Sequence, residues 1–166
     1  MKNLFACLLN QAPVPVRDNC IITIFLNCAL RLSELESLDL YQVNSDILTV
    51  IGKGNKERKI FLTSAVKQSL TKWLMVRNSM PIITNALFTS RNGGRLTTRA
   101  IQNVIKKHII AAGIDPVGLS THKLRHTAAT LMYKYGRVDI RSLQQILGHE
   151  SIATTEIYTH VDEAQL

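Results

Sequence analysis

The stretch from Asp46 to Leu62, DILTVIGKGNKERKIFL, most limits the folds open to this chain. Asp46 to Ile51 is rich in β-formers and reads as a strand. Gly52-Lys53-Gly54-Asn55 supplies turn chemistry, and Lys56 to Leu62 returns as the partner strand. Leu48, Val50, Ile60 and Leu62 are available for one or both faces, and the pattern leaves the register open. Around this hairpin the chain reads as helix. The expected fold class is therefore mostly α with a small antiparallel β-sheet.

Arg17 to Leu30 reads as a buried helix. Leu32, Leu35 and Leu38 mark a second, short one, with Ser33 near its start and Glu36 as a weak capping-box partner. Thr63 or Ser64 caps a helix that carries Val66, Leu70, Trp73 and Leu74 on one side. A short apolar segment, Ala86-Leu87-Phe88, leads into a polar turn, SRNGG. Thr97 and Thr98 precede a helix with Ile101, Val104, Ile105 and Ile109 at helical spacing, which Gly113 ends. Asp115-Pro116 begins a connector. Ser120 or Thr121 caps THKLRHTAATLMYKY, Asp139 caps RSLQQILG, and Ser151 to Tyr158 forms a further short helix. Two prolines in Ala12-Pro13-Val14-Pro15-Val16 resist helix continuation, so residues 1–16 read as a linker or lead-in.

A chain of 166 residues with 46% apolar content supports one compact domain. Cys7, Cys20 and Cys28 form no CxxC pair, which disfavours a disulfide scaffold or zinc site and favours buried thiols in a reducing compartment. The apolar run Cys20–Leu30 is too short to span a bilayer. Lys and Arg number 20 against 12 acidic residues, a formal charge of +8. From Arg58 through Ile114 there are ten basic residues and no acidic one. Such a tract favours a polyanionic partner, nucleic acid above all, with Arg58, Lys59, Arg91, Arg95, Arg99, Lys106 and Lys107 inside it and Lys56 and Lys123 on either side of it as candidate contacts. A membrane surface is disfavoured, because the apolar helix faces are needed for the core. GKGNKE lacks Walker spacing, so no nucleotide cofactor is expected.

The last third carries the chemistry. His122 and Arg125 are neighbours on one helix face. Arg125 offers a rigid fork for phosphate oxygens. His149 and Tyr158 follow. The spacing of His122, His126 and His149 matches no compact metal motif, so no metal is expected.

Four stretches together, ALRLSEL at 29–35, IGKGNKER at 51–58, THKLRHTAAT at 121–130 and LGHESIATTEIYTH at 147–160, resemble the catalytic domain of tyrosine recombinases of the integrase family. The resemblance is nearest to bacterial Xer-type recombinases and mobile-element integrases. It implies a tyrosine recombinase catalytic-domain fold over 17–166, with the N-terminal core-binding domain absent and the tail after Tyr158 short. It also implies site-specific DNA cleavage and rejoining through a 3′-phosphotyrosyl intermediate. Arg31, Glu34, Lys53, His122, Arg125, His149 and Tyr158 match the catalytic positions, with Tyr158 as nucleophile. Chemistry alone does not choose among Lys53, Lys56 and Lys59; the resemblance selects Lys53. Tyr133 and Tyr135 compete with Tyr158 by chemistry only, and His126 and His160 match no catalytic role. Implied further are double-stranded DNA as the polyanionic partner, a tetramer on paired DNA sites, a monomeric or weakly associated isolated domain, no cofactor, and a cytoplasmic, nucleoid-associated setting in bacteria. Two other functions compete: a noncatalytic DNA-binding fragment that keeps the fold, and type IB topoisomerase-like relaxation.

Overall fold

A computed structural model describes residues 16–111, 113, 115–118, 120–126 and 129. Helix α1 is Val16–Cys28 and α2 is Leu32–Glu36; strands β1, Ile47–Ile51, and β2, Glu57–Phe61, follow; α3 is Ser64–Asn78 and α4 is Thr98–Ala111. Short 3₁₀ turns occupy Leu40–Gln42 and Lys53–Asn55. Residues 121–126 are helical and are called α5. Beyond residue 126 the expected helix is described only at residue 129, and those at Asp139–Gly148 and Ser151–Tyr158 and the lead-in up to Pro15 lie outside the described residues. Val16, assigned to the lead-in by sequence, is the first residue of α1.

Helix α1 is the centre of the core. Cys20, Ile21, Ile22, Ile24, Phe25, Leu26 and Cys28 are all buried, so the helix is apolar almost all round. Its β-branched residues are poor helix formers, and packing overrides them. The polar residues within it are satisfied locally: Thr23 donates to the Asn19 carbonyl at 2.7 Å, and Asn27 donates to the Thr23 carbonyl at 2.8 Å. Ala29, just past its end, is left-handed at φ 50°.

Helix α2 starts earlier than Ser33. Arg31 is its N-cap, and the Glu34 carboxylate, not that of Glu36, accepts the Arg31 N–H at 2.8 Å. The spacing rule was sound but the frame was two residues out. Leu38 is buried but lies past the helix end.

The hairpin forms a two-stranded antiparallel sheet with Leu48 opposite Ile60 and Val50 opposite Arg58. Leu48, Val50 and Ile60 share the buried face, and Leu62 continues it just beyond β2. Phe61 points the other way and is exposed. Gly54 and Asn55 take successive left-handed conformations, φ 73° and 62°, where a β-branched side chain would clash.

Thr63 caps α3 by accepting the Val66 N–H at 3.3 Å. Helix α3 lies on α1, where Ser69 Oγ meets Cys20 Sγ at 3.8 Å. It also holds the segment after it. Trp73 Nε1 donates to the Leu87 carbonyl at 2.8 Å, and its ring stacks with Phe88 at 6.2 Å. Buried Arg77 donates to the carbonyls of Thr84 and Ala86 at 2.8 Å each. The SRNGG turn closes with Gly93 at φ 86°, where a Cβ would come 2.5 Å from the Pro81 carbonyl. Helix α4 buries Ile101, Val104, Ile105 and Ile109, as its spacing predicts. Ser120 caps α5, accepting the Lys123 N–H at 3.2 Å.

Candidate active site

Three backbone junctions present the candidate side chains. Arg31 stands at the start of α2, a position fixed by the Glu34 cap. Its side chain is 37% exposed. Lys53 stands in the 3₁₀ turn of the hairpin and is exposed. Both line one open cleft of about 650 Å³, together with Ser33, Glu34, Ser37, Ile51 and Gly52. Arg125, on α5, is buried, and its Nε donates to the Ala29 carbonyl at 2.8 Å. The left-handed turn at Ala29 thus aims a carbonyl at one arginine two residues before the chain presents the other. His122 precedes Arg125 by one helical turn and is exposed. His149, Tyr158, Tyr133, Tyr135 and His160 lie outside the described residues.

Glu34 is nearly inaccessible, at 3% side-chain exposure. Its Oε2 accepts from Arg58 Nη1 at 2.5 Å and its Oε1 from Arg58 Nη2 at 2.8 Å. Arg31 Nη1 stays 3.7 Å from Oε2. Burial pushes the Glu34 carboxyl up, but the Arg58 hydrogen bonds and charge, the Arg31 N–H and the Arg31 charge outweigh it and hold it below its ordinary value. Burial pushes the Cys28 thiol up to about 12 against the opposing charge of Arg58, and burial likewise takes Cys20 to about 12. Neither is a rival nucleophile at neutral pH. Burial, then neighbouring His122, holds the His126 imidazole below its ordinary range. Among the described residues, no group of three or more His, Cys, Asp or Glu side chains comes together to suit a metal ion.

The candidate DNA contacts divide. Lys56, Lys59, Arg91, Arg99, Lys106, Lys107 and Lys123 are exposed. Arg99 and Lys106 share a second open cavity of about 410 Å³ with Gln102, Asn103, Ser120 and Thr121. Arg58 and Arg95 are engaged in ion pairs within the protein. Arg58 is committed to Glu34, and Arg95 donates to the Glu36 carbonyl at 2.8 Å and pairs with Asp39. One signal for Arg58 was present in the sequence: positions 58, 60 and 62 share a strand face with two core residues, so a charge there needs a buried partner. The Ala29 carbonyl and the buried role of Arg77 carried no comparable signal.

A mostly helical domain that sets an arginine and a hairpin lysine on one cleft, with a second arginine anchored beside it, has the fold of a tyrosine recombinase catalytic domain. The chain belongs to the phage integrase family, whose profile matches residues 1–165. Within that family it is similar to Xer recombinases. It is 49% identical over 162 residues to tyrosine recombinase XerC of Caldanaerobacter subterraneus subsp. tengcongensis, covering 96% of this chain and 46% of the relative. It is 42% identical over 149 residues to XerC of Shewanella amazonensis, covering 89% and 50%. The crystal structure of XerA recombinase superposes with a TM-score of 0.88 at 34% identity, over 99% of this chain and 59% of that one. XerH site-specific recombinase bound to its difH substrate, before cleavage, gives 0.81 at 28% identity, over 99% and 50%. The chain spans about half the length of the curated relatives it matches.

Proposed function

We propose that this chain is the DNA-cutting and rejoining unit of a site-specific tyrosine recombinase. The observation that carries the proposal is the cleft where Arg31 and Lys53, from separate elements, meet around a buried carboxylate. Tyr158 attacks the scissile phosphate, forming a 3′-phosphotyrosyl ester as the bond to the 5′ oxygen breaks. Arg31 and Arg125 neutralise the nonbridging oxygens as charge gathers there in the transition state. Lys53 gives its proton to the departing 5′ oxygen, and His122 assists removal of the tyrosine proton or bonds to phosphate. His149 donates to a nonbridging oxygen. Glu34 accepts only, so it orients cations rather than touching phosphate. The ester conserves the bond energy, and attack by a 5′ hydroxyl reverses the step.

Residues 17–166 form the catalytic unit in this account. The double-stranded DNA partner, the tetramer on paired sites, the cytoplasmic setting and a core-binding domain supplied by other sequence are parts of the same proposal. Arginine, lysine and histidine provide the charge and protons, so strand transfer is expected to proceed in chelator; strict magnesium dependence of the chemical step, with DNA binding intact, would count against it. The decisive experiment uses a nicked suicide substrate and the longest protein the gene encodes. Peptide mapping is expected to find DNA on Tyr158, and Tyr158→Phe to abolish the adduct while sparing binding. DNA on Tyr133 or Tyr135, or undiminished adduct from Tyr158→Phe, would overturn the assignment.

A further inference from the structure

We infer that Arg58 is a positioning residue for Arg31, keeping that guanidinium presented to the cleft by occupying both oxygens of Glu34. The inference rests on the cleavage reading above but concerns a residue outside its proposed machinery. Glu34 has two cationic suitors. Arg31 is three residues away on the same short helix, well placed for an i,i+3 pair. Arg58 comes from β2 and wins both oxygens, at 2.5 and 2.8 Å, while Arg31 stays at 3.7 Å.

Burial explains the outcome. Arg58 is 8% exposed at its side chain, whereas Arg31 is 37% exposed and retains water. A desolvated charge gains far more from its counter-ion than a hydrated one does. The Arg58 fork and the Arg31 N–H together take three of the roughly four lone-pair sites of the carboxylate, so the Arg31 guanidinium has at most one site on Oε2 left to compete for. Were Arg58 unable to fork, the Glu34 carboxylate would draw Arg31 down onto itself and away from the phosphate.

Gly52 leaves the pair room. A Cβ there would lie 3.0 Å from Glu34 Oε2 and 3.3 Å from Arg58 Nη1. Its φ of −100° is open to any residue, so space, not backbone conformation, calls for glycine. The same clamp ties the strand after the Lys53 turn to the helix that starts at Arg31. Two side chains that must act on one phosphate are thus referenced to a single buried pair.

The test is Arg58→Lys, which keeps the charge but reaches only one oxygen at a time. In DNA-saturated single turnover, cleavage is expected to fall roughly 10- to 100-fold, as for a misplaced catalytic group, with Kd within about threefold and an unchanged salt slope. Arginine side-chain NMR of the protein without DNA supplies a readout independent of activity. Slow guanidinium rotation, the mark of a forked pair, is expected at Arg58 in the wild type and at Arg31 in the variant. Gly52→Ala, which displaces the pair without removing a charge, is the second variant should Arg58→Lys not fold. An Arg31 signal identical to wild type in the folded variant, or full-speed cleavage, would overturn the inference. A weakened Kd with a shallower salt slope would also overturn it and make Arg58 a phosphate contact. Absence of any Tyr158 adduct in the wild type would instead defeat the cleavage reading, and the NMR result would still decide the role of Arg58.

Discussion

At the scale of the residue, Ala29 and Glu34 do the most with the least. Ala29 holds φ 50° so that its carbonyl can receive Arg125. An alanine in this region costs about 1–2 kcal/mol, and glycine would recover that. The lost burial of one methyl, about 0.8 kcal/mol, and the extra freedom of an unfolded glycine take most of it back. Ala29→Gly should therefore shift unfolding by less than about 1 kcal/mol in urea titration, whereas Ala29→Val, β-branched, should cost about 2 kcal/mol or more. Removing Glu34 leaves Arg58 buried without its carboxylate, so Glu34→Ala should cost about 3–5 kcal/mol in the same measurement. The pH dependence has a definite sign. The folded Glu34 carboxyl lies below its ordinary value, so its contribution is complete above the unfolded pKa near 4.5 and fades as pH falls through the folded one. Acid-unfolding curves should show that loss in the wild type, and Glu34→Gln should remove this part of the slope.

At the scale of the element, the hairpin separates what a pattern can specify from what it cannot. Its existence, turn and two strands were legible, because β-formers bracket a Gly-Lys-Gly-Asn turn. Its register was not: Ile47, Ile51 and Phe61 lie on the opposite face from Leu48, Val50 and Ile60, and apolar residues on both faces permit either alignment. The helices α1, α3 and α4 were legible from apolar spacing. The start of α2 was misread because Ser33 is a better cap by type than Arg31, and only the fold shows Glu34 reaching back. Arg58 was legible as basic but not as buried, and Arg95 as basic but not as paired with Asp39, since their partners lie far away in the chain. The face assignment itself makes a prediction. Leu48→Ala should cost about 2–5 kcal/mol and Phe61→Ser should stay within about 0.5 kcal/mol, both read by urea unfolding. Equal effects would mean the faces are wrongly assigned.

At the scale of the whole molecule, the acid-free run of the sequence becomes two populations of charge. Exposed cations such as Lys59, Arg99, Lys106 and Lys107 are free to meet phosphates, while Arg58, Arg77 and Arg95 hold the protein together. DNA affinity is expected to fall by roughly 10³–10⁵ between 50 and 200 mM salt if six to ten phosphates are met. Replacing Lys106 or Lys107 by alanine should lower the salt slope by about one each. Arg95→Ala should leave the slope unchanged and lower stability instead, and a reduced slope would return Arg95 to the DNA-facing set. The buried thiols also give this molecule a clock. With its pKa pushed to about 12, Cys28 holds a thiolate in roughly one molecule in 10⁴ at pH 8, and the surrounding core bars an alkylating reagent from it. Cys28 adjoins Ala29, the carbonyl that receives Arg125. Alkylation at Cys28 would require this segment to open, so where labelling outpaces reclosing its rate would measure how often the support of the Ala29 carbonyl is lost and rebuilt.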